Sequence, residues 1–206
     1  MNLLAIETSV PQASLCLYRD GQYLTQACWQ AERNHDAHLF PALQEAMDAL
    51  QDASLDFILI GSGPGSYGGV RVALAAGVGL ATVTGARLVA LESWAQLATG
   101  NVCIISDARR GGWTVRLPDG TIEVMQPAQV NELKLPLFSV EAPGTLADKG
   151  IQRVEKEGLV PTAKGLVQTW LALSPEAWAA AAEKPAEPIY VRPPHITKAI
   201  RKPWEI

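Results

Sequence analysis

At 206 residues, 48% of them hydrophobic and 18% charged, the chain is sized for one large α/β domain or two small lobes. Its 17 basic and 21 acidic residues leave a net charge of −4, which excludes a protein that binds phosphate over its whole surface. Three cysteines (Cys16, Cys28, Cys103) without a CxxC spacing exclude a disulfide framework.

In chain order, Asn2–Glu7 reads as a buried strand and Ala13–Tyr18 as a second, joined through Asp20-Gly21 to a third at Tyr23–Gln30. Asp-Gly supplies the two positive φ angles of a type I′ hairpin turn. Asn34 or Asp36 can cap a helix running to about Gln51, with Leu39, Leu43, Met47 and Leu50 on one stripe. Asp56–Gly61 is a strand. It enters Gly61-Ser-Gly-Pro-Gly-Ser-Tyr-Gly-Gly69, five glycines in nine residues, and then a helix over Val70–Thr84. A short strand at Arg87–Ala90 and a helix at Ser93–Ala98 complete the first half.

A strand-to-helix glycine loop can cradle phosphate on backbone amides. Gly63 and Gly68 have the spacing of a P-loop, but Gly69 stands where that motif needs lysine, so a P-loop nucleotide site is excluded. The helix after the loop is the sharper signal. Between Val70 and Thr84 only Arg71, Thr82 and Thr84 are polar, whereas a helix lying on a sheet normally keeps one polar face. Val70, Ala73, Leu74, Gly77, Leu80 and Ala81 form one apolar face, suited to the parent sheet. Val72, Ala76, Gly79 and Val83 form another, which water would wet unless the preceding helix or, as is favoured here, a second protein covers it.

Asn101–Gly120 shadows Asn2–Gly21 at an offset of 99 residues, each copy running strand, polar turn, strand, Asp-Gly. That pattern predicts two related lobes, 1–100 and a reduced 101–206, the latter ending in a proline-bearing extended tail at 184–206. In the second lobe, strands are expected at Thr121–Val124 and Leu137–Val140, and helices at about Thr162–Leu173 and Pro175–Ala182. Glu7-Thr8-Ser9 after the first strand, with Asp107 at the position of Thr8 in the second copy, could face one another across a metal–phosphate cleft; Thr8 and Ser9 could equally satisfy turn backbone. His35 and His38 have a spacing that can share a metal, but no carboxylate or thiol set converges on them. Arg109-Arg110, with Arg116 nearby, is a small basic spot. No charged-then-apolar leader opens the chain, and the apolar stretch 70–83 falls short of the roughly 18 residues that span a bilayer. A cytoplasmic protein without a membrane is therefore expected.

Leu4-Ala-Ile-Glu-Thr-Ser9, His35 ahead of Pro41, Gly63-Pro-Gly-Ser-Tyr-Gly-Gly-Val-Arg71, Ser106-Asp-Ala-Arg-Arg110 and Pro188-Ile-Tyr-Val-Arg192 occur in that order. With them the chain resembles the TsaB (YeaZ) family, over residues 1–115 and again in the tail. The resemblance implies an actin-like ATPase (ASKHA, ribonuclease H-like) α/β fold: two related lobes of mixed five-stranded sheets flanked by helices, the second reduced. It also implies a non-catalytic partner, with no cofactor and no metal of its own, for the paralogue TsaD, which transfers a threonylcarbamoyl group to the tRNA adenosine beside the anticodon. The ATPase TsaE docks on that pair, tRNA is met only through the complex, and the isolated subunit forms a homodimer. Carried over, the partner interface comprises His35, Leu39, Leu43, Met47, Val70, Arg71, Val72, Leu74, Ala76, Val78 and Gly79. Glu7, Thr8, Ser9, Gly63, Gly65, Ser66 and Asp107 line a vestigial nucleotide cleft. The alternatives are a small actin-fold ATPase or kinase with nucleotide near Glu7 and Asp107, and a metallopeptidase drawing on His35 and His38. The chain departs from the family at Glu7, where aspartate is common, and at Gly68, where threonine is usual. It also has no glycine pair after Gly112 to hold an adenosine.

Overall fold

The structure, a computed structural model, describes residues 1–31 and 36–192. The first sheet holds β1 (Asn2–Glu7), β2 (Gln12–Arg19), β3 (Gln22–Gln30), β4 (Phe57–Gly61) and β5 (Arg87–Leu91) in the order β3-β2-β1-β4-β5. β1–β2–β3 is an antiparallel meander, while β1, β4 and β5 run parallel. Asp20 and Gly21, at φ 47° and 94°, turn the β2–β3 hairpin as Asp-Gly requires. Helices α1 (Asp36–Leu50) and α2 (Tyr67–Thr84) lie on one face of this sheet. There Leu39, Ala46 and Leu50 of α1 and Ala73 of α2 pack on Leu4, Ile6, Leu17, Ile58 and Ile60.

Among the described residues the second sheet has four strands, not the five expected: β6 (Cys103–Asp107), β7 (Trp113–Arg116), β8 (Ile122–Met125) and β9 (Leu137–Ser139), ordered β8-β7-β6-β9. This is the order of the first sheet without its last strand, so the sequence repeat has a structural counterpart. Between β8 and β9 lies a short helix, α3 (Pro127–Glu132), that the sequence reading overlooked. Its signal is local: Gln126 and Gln129 form a capping box around Pro127 at the first helical position. The 99-residue offset holds for β6, whose Cys103 and Ile105 face α3 as Leu4 and Ile6 face α1. It slips by one at β7, where Val115 opposite Ile105 occupies the place of Leu15 opposite Ile6.

Two further expectations are corrected. Ser93–Ala98 is not a helix but a single 3-10 turn at Ala95–Leu97, because Trp94 turns inward to pack with Val102 and Ile104 between the sheets. The helices α4 (Ala163–Leu171) and α5 (Pro175–Glu183) do not complete the second lobe. They return to the bare face of the first sheet, where Leu166, Val167 and Trp170 cover Leu3, Ala5, Leu59 and Val89, and Trp178 stacks on Trp170. The first sheet is thus sandwiched on both faces. After α5 the chain continues without regular secondary structure to Arg192, with Ala186 against the α1–α2 core cluster and Ile189 bonded to Ser62 just beyond β4. The Arg116 guanidinium, bonded to Glu92 at 2.5 Å, ties the second sheet to the segment after β5.

Candidate functional site

Two concavities meet at the N-terminus of α2. One is a cleft of about 870 Å³ between the lobes; the other is a groove of about 1040 Å³ between α1 and α2. Ala31, Ser66 and Gly68 line both.

The loop that places α2 is held by close backbone contacts. A Cβ on Gly65 would collide with the Ser9 carbonyl, to which the Ser66 N–H donates at 2.6 Å, and a Cβ on Gly61 would collide with the Glu7 carboxyl. Gly63 sits at φ 90° and exchanges bonds with Ser93: its N–H donates to Ser93 Oγ (3.1 Å), and its carbonyl accepts from Ser93 N–H (2.8 Å). Ser66 then caps α2 by accepting from Gly69 N–H at 3.2 Å.

Of the residues expected in the cleft, Ser9, Gly65, Ser66 and Asp107 line it. Glu7, Thr8 and Gly63 do not. Thr8 is buried and donates to the Gly69 carbonyl (2.7 Å), fixing the first turn of α2. Glu7 lies wholly inside, beneath Gly61, with Oε1 accepting from Ser9 N–H at 2.7 Å and Oε2 unpartnered. Asp107 is also engaged, since Lys149 Nζ donates to its Oδ2 (2.9 Å) and Arg109 N–H to its Oδ1 (2.7 Å). Partial burial pushes the Asp107 carboxyl up, but these two donors prevail and hold it below the ordinary carboxylate range. Glu141 Oε1 accepts from Ser106 Oγ (2.8 Å) and from Asp107 N–H (2.9 Å). Lys149 and Glu141 were not anticipated from sequence; they arrive from loops far along the chain with no local motif. One carboxylate faces the interior and the other is matched by an ammonium, so the two do not meet in the cleft. His38 is exposed and stacks on Trp29, whereas His35 lies outside the described residues. Among the described residues no cluster of His, Cys, Asp and Glu suits a metal.

Glu7 carries a pH signature. Burial pushes its carboxyl above the ordinary value of 4.5, with the Ser9 bonds only partly opposing. A carboxyl that binds its proton more tightly when folded stabilises the fold fully below its unfolded value, and that stabilisation is lost as pH rises through the folded value. Replacing Glu7 with Gln is therefore expected to shift stability relative to wild type in the variant's favour between pH 4.5 and pH 8. Urea midpoints of both proteins at the two pH values test this; parallel shifts would contradict it.

The helix faces divide much as the sequence reading had them. Val70, Ala73 and Gly77 of α2 are buried, and a Cβ on Gly77 would press on Leu88 and Ile60. Leu74, Leu80 and Ala81 are half-buried against the same core. Val70, Leu39 and Leu74, expected at a partner interface, are thus core or core-edge residues, although Leu39 and Leu43 do floor the groove. Met47, Val72 and Ala76 line the groove half-buried, and Gly79 is exposed there. Phe40 and Val83, 62% and 86% exposed, stand at its rim; Phe40 was missed, although it falls in helical register with Met47. Val78 and Arg71 are exposed but lie outside the groove lining. Thr82 and Thr84 donate back to the Val78 and Leu80 carbonyls (2.8 Å each) and add little polarity. At 18 residues α2 is longer than the sequence suggested and apolar enough to cross a membrane by length and composition, yet its inner face is the packing layer of the first sheet.

Residues 29–124, which include both helices, match the family model "TsaD: tRNA N6-adenosine threonylcarbamoyltransferase". Over 119 residues the chain is 30% identical to the tRNA threonylcarbamoyladenosine biosynthesis protein TsaB of Bacillus subtilis, covering 54% of this chain and 52% of that protein. The chain thus spans about half the length of the curated relative it matches. Two solved structures from Pseudomonas aeruginosa are similar over almost their whole length. A protein described as similar to peptidase YEAZ has TM-score 0.68, 26% identity, and coverage of 93% of this chain and 99% of its own. YeaZ has TM-score 0.66, 26% identity, and coverage of 92% and 99%. The fold is the actin-like ASKHA α/β fold with mixed sheets flanked by helices. In sequence the chain is thus similar to TsaB over about half its length, and in fold to YeaZ over nearly all of it.

Proposed function

We propose that this protein is a non-catalytic scaffold in the formation of N6-threonylcarbamoyladenosine in tRNA, binding a TsaD-type transferase through the α1–α2 groove. The observation that carries this reading is the groove itself. Val72, Ala76, Gly79 and Val83 on α2 face Leu43 and Met47 on α1 across a cavity that none of the described residues fills. An apolar concavity of this size flanked by exposed Phe40 and Val83 fits the helix pair of another protein. Gly68 and Gly79 have open space where a Cβ would go, so packing within the chain does not demand them. Glycines on an exposed helix face let a second helix approach closely. The likeness of residues 29–124 to the TsaD family supports a partner of the same fold, so that two like helix pairs meet. In the absence of that partner the same face pairs two copies of this chain. A TsaE-type ATPase docks on the heterodimer, a part of the reading that rests on the resemblance alone.

The engagement of Asp107 by Lys149 and the burial of Glu7 weigh against an independent ATPase. Co-expression with the cognate transferase followed by size-exclusion chromatography tests the proposal. A 1:1 complex that restores threonylcarbamoyl transfer is the expected result. Separate elution, with transfer unaffected by omission of this chain, would overturn it.

A further inference from the structure

The proline-bearing tail does not hang free. The Ile189 N–H donates to the Ser62 carbonyl (2.8 Å), and Arg192 donates to the Arg109 carbonyl (3.1 Å), so the tail bridges the mouth of the cleft from one lobe to the other. Between these anchors Tyr190 lies against Tyr67, the first residue of α2, with ring centroids 5.1 Å apart and planes 32° apart. The Arg71 guanidinium sits 5.2 Å from the centre of the Tyr67 ring and donates to its hydroxyl. Both rings are about half exposed, at 50% and 48%.

Next to this aromatic pair, Arg109 and Arg110 are exposed at the β6–β7 turn. Among the described residues none of Arg71, Arg109, Arg110 and Arg192 is in an ion pair; Arg19, Arg116 and Arg153 are the arginines that find carboxylates. Four arginines without carboxylate partners among the described residues, near two tilted, half-exposed tyrosines, stand out on a chain whose net charge is −4. Arginine forks suit phosphate, and aromatic faces suit bases that are not already stacked in a duplex.

We infer that Tyr67, Tyr190 and the arginines around them form a contact surface for a single-stranded RNA loop, with Tyr190 stacking on an unpaired base and Arg109 and Arg110 on adjacent phosphates. The surface lies beside the α1–α2 groove, through the shared wall at Ser66 and Gly68. A partner seated in the groove would therefore present its own RNA to this patch. The identity of the RNA as tRNA rests on the proposed function; the surface itself does not.

The test uses the full chain, alone and in complex with the transferase, titrated with a fluorescent anticodon stem–loop RNA at low and moderate salt. Tyr190→Ala is expected to weaken binding about tenfold. R109Q/R110Q is expected to lower the slope of log affinity against log salt by about 1–2. Both variants should melt as wild type does and pair with the transferase unchanged. A duplex RNA of equal length, which offers no unpaired base, should bind less tightly and ignore Tyr190→Ala. RNA affinity within twofold of wild type in both variants would overturn the inference, as would an absence of RNA binding by wild type in either form. Loss of transferase pairing in Tyr190→Ala would also overturn it, making the patch a protein contact. Should the wild-type chain fail to pair with the transferase, the proposed function falls, while titration of the chain alone still decides this inference.

Discussion

Gly79→Glu is expected to abolish the complex with the transferase while leaving this chain folded. Gly79 is exposed on α2 and lines the groove, with open space at its Cβ position, so a glutamate fits the isolated chain without collision. Glutamate is also the better helix former, which offsets any small surface cost. In a closed helix–helix contact the same carboxylate would be buried without a partner, a penalty of roughly 3–5 kcal/mol or more than a hundredfold in affinity. Phe40→Glu across the groove, at a residue already 62% exposed, should act the same way. The measurement is co-elution together with a thermal melt. Gly79→Ala sharpens it, because alanine favours the isolated helix by about 1 kcal/mol while adding a methyl where the partner must come close. That variant should melt higher and bind more weakly. If Gly79→Glu and Phe40→Glu both co-elute normally, the groove is not the interface.

The features legible in the sequence were those encoded within one element. Asp20-Gly21 turns a hairpin by its own φ preferences, and the apolar spacing of α2 marks a helix with two packing faces. Even so, sequence could not say which exposed apolar residues stay exposed. Val70 and Leu74 go inward with the face they share with Ala73 and Gly77, against the interface role the resemblance gave them, while how far Val83 stays exposed depends on an α2 axis set by Thr8 and Ser66, contacts that no periodicity shows. The destination of α4 and α5 was hidden for a similar reason. Their amphipathic pattern demands a sheet face, but the face left open is that of β1, about 160 residues earlier, rather than that of the nearer second sheet. The candidate cleft was overread where strand parity mattered. Glu7 and Thr8 follow one another, so they point to opposite faces of the sheet. One meets α2, while the other goes beneath Gly61, and neither reaches the cleft. The tail motif Pro188–Arg192 was visible as a string of residues, but its role as a bridge depends on bonds to Ser62 and Arg109.

The second large effect is expected at Gly65. Its Cβ position falls on the carbonyl of Ser9, so the obstacle is main chain and cannot rotate away. Ser9 is held in turn, its N–H donating to Glu7 Oε1 and its carbonyl accepting from Ser66 N–H. Gly65→Ala must therefore push the glycine loop off the β1–β2 turn and break the Ser66–Ser9 bond. Overpacking of about 1–3 kcal/mol and a lost backbone bond of about 1 kcal/mol together predict a destabilisation of roughly 2–4 kcal/mol. Gly68→Ala, three residues on and facing open space, supplies the control, with no loss and a gain of up to about 1 kcal/mol. The consequence reaches the groove, since Ser66 caps α2 and the displaced loop tilts the helix that forms one wall. Gly65→Ala should thus weaken transferase binding even under conditions where the variant remains folded, whereas a second-lobe change of equal stability cost should not. Urea unfolding paired with a binding titration separates the two. A Gly65→Ala protein as stable as wild type would show that the loop is held to the turn less tightly than these contacts imply.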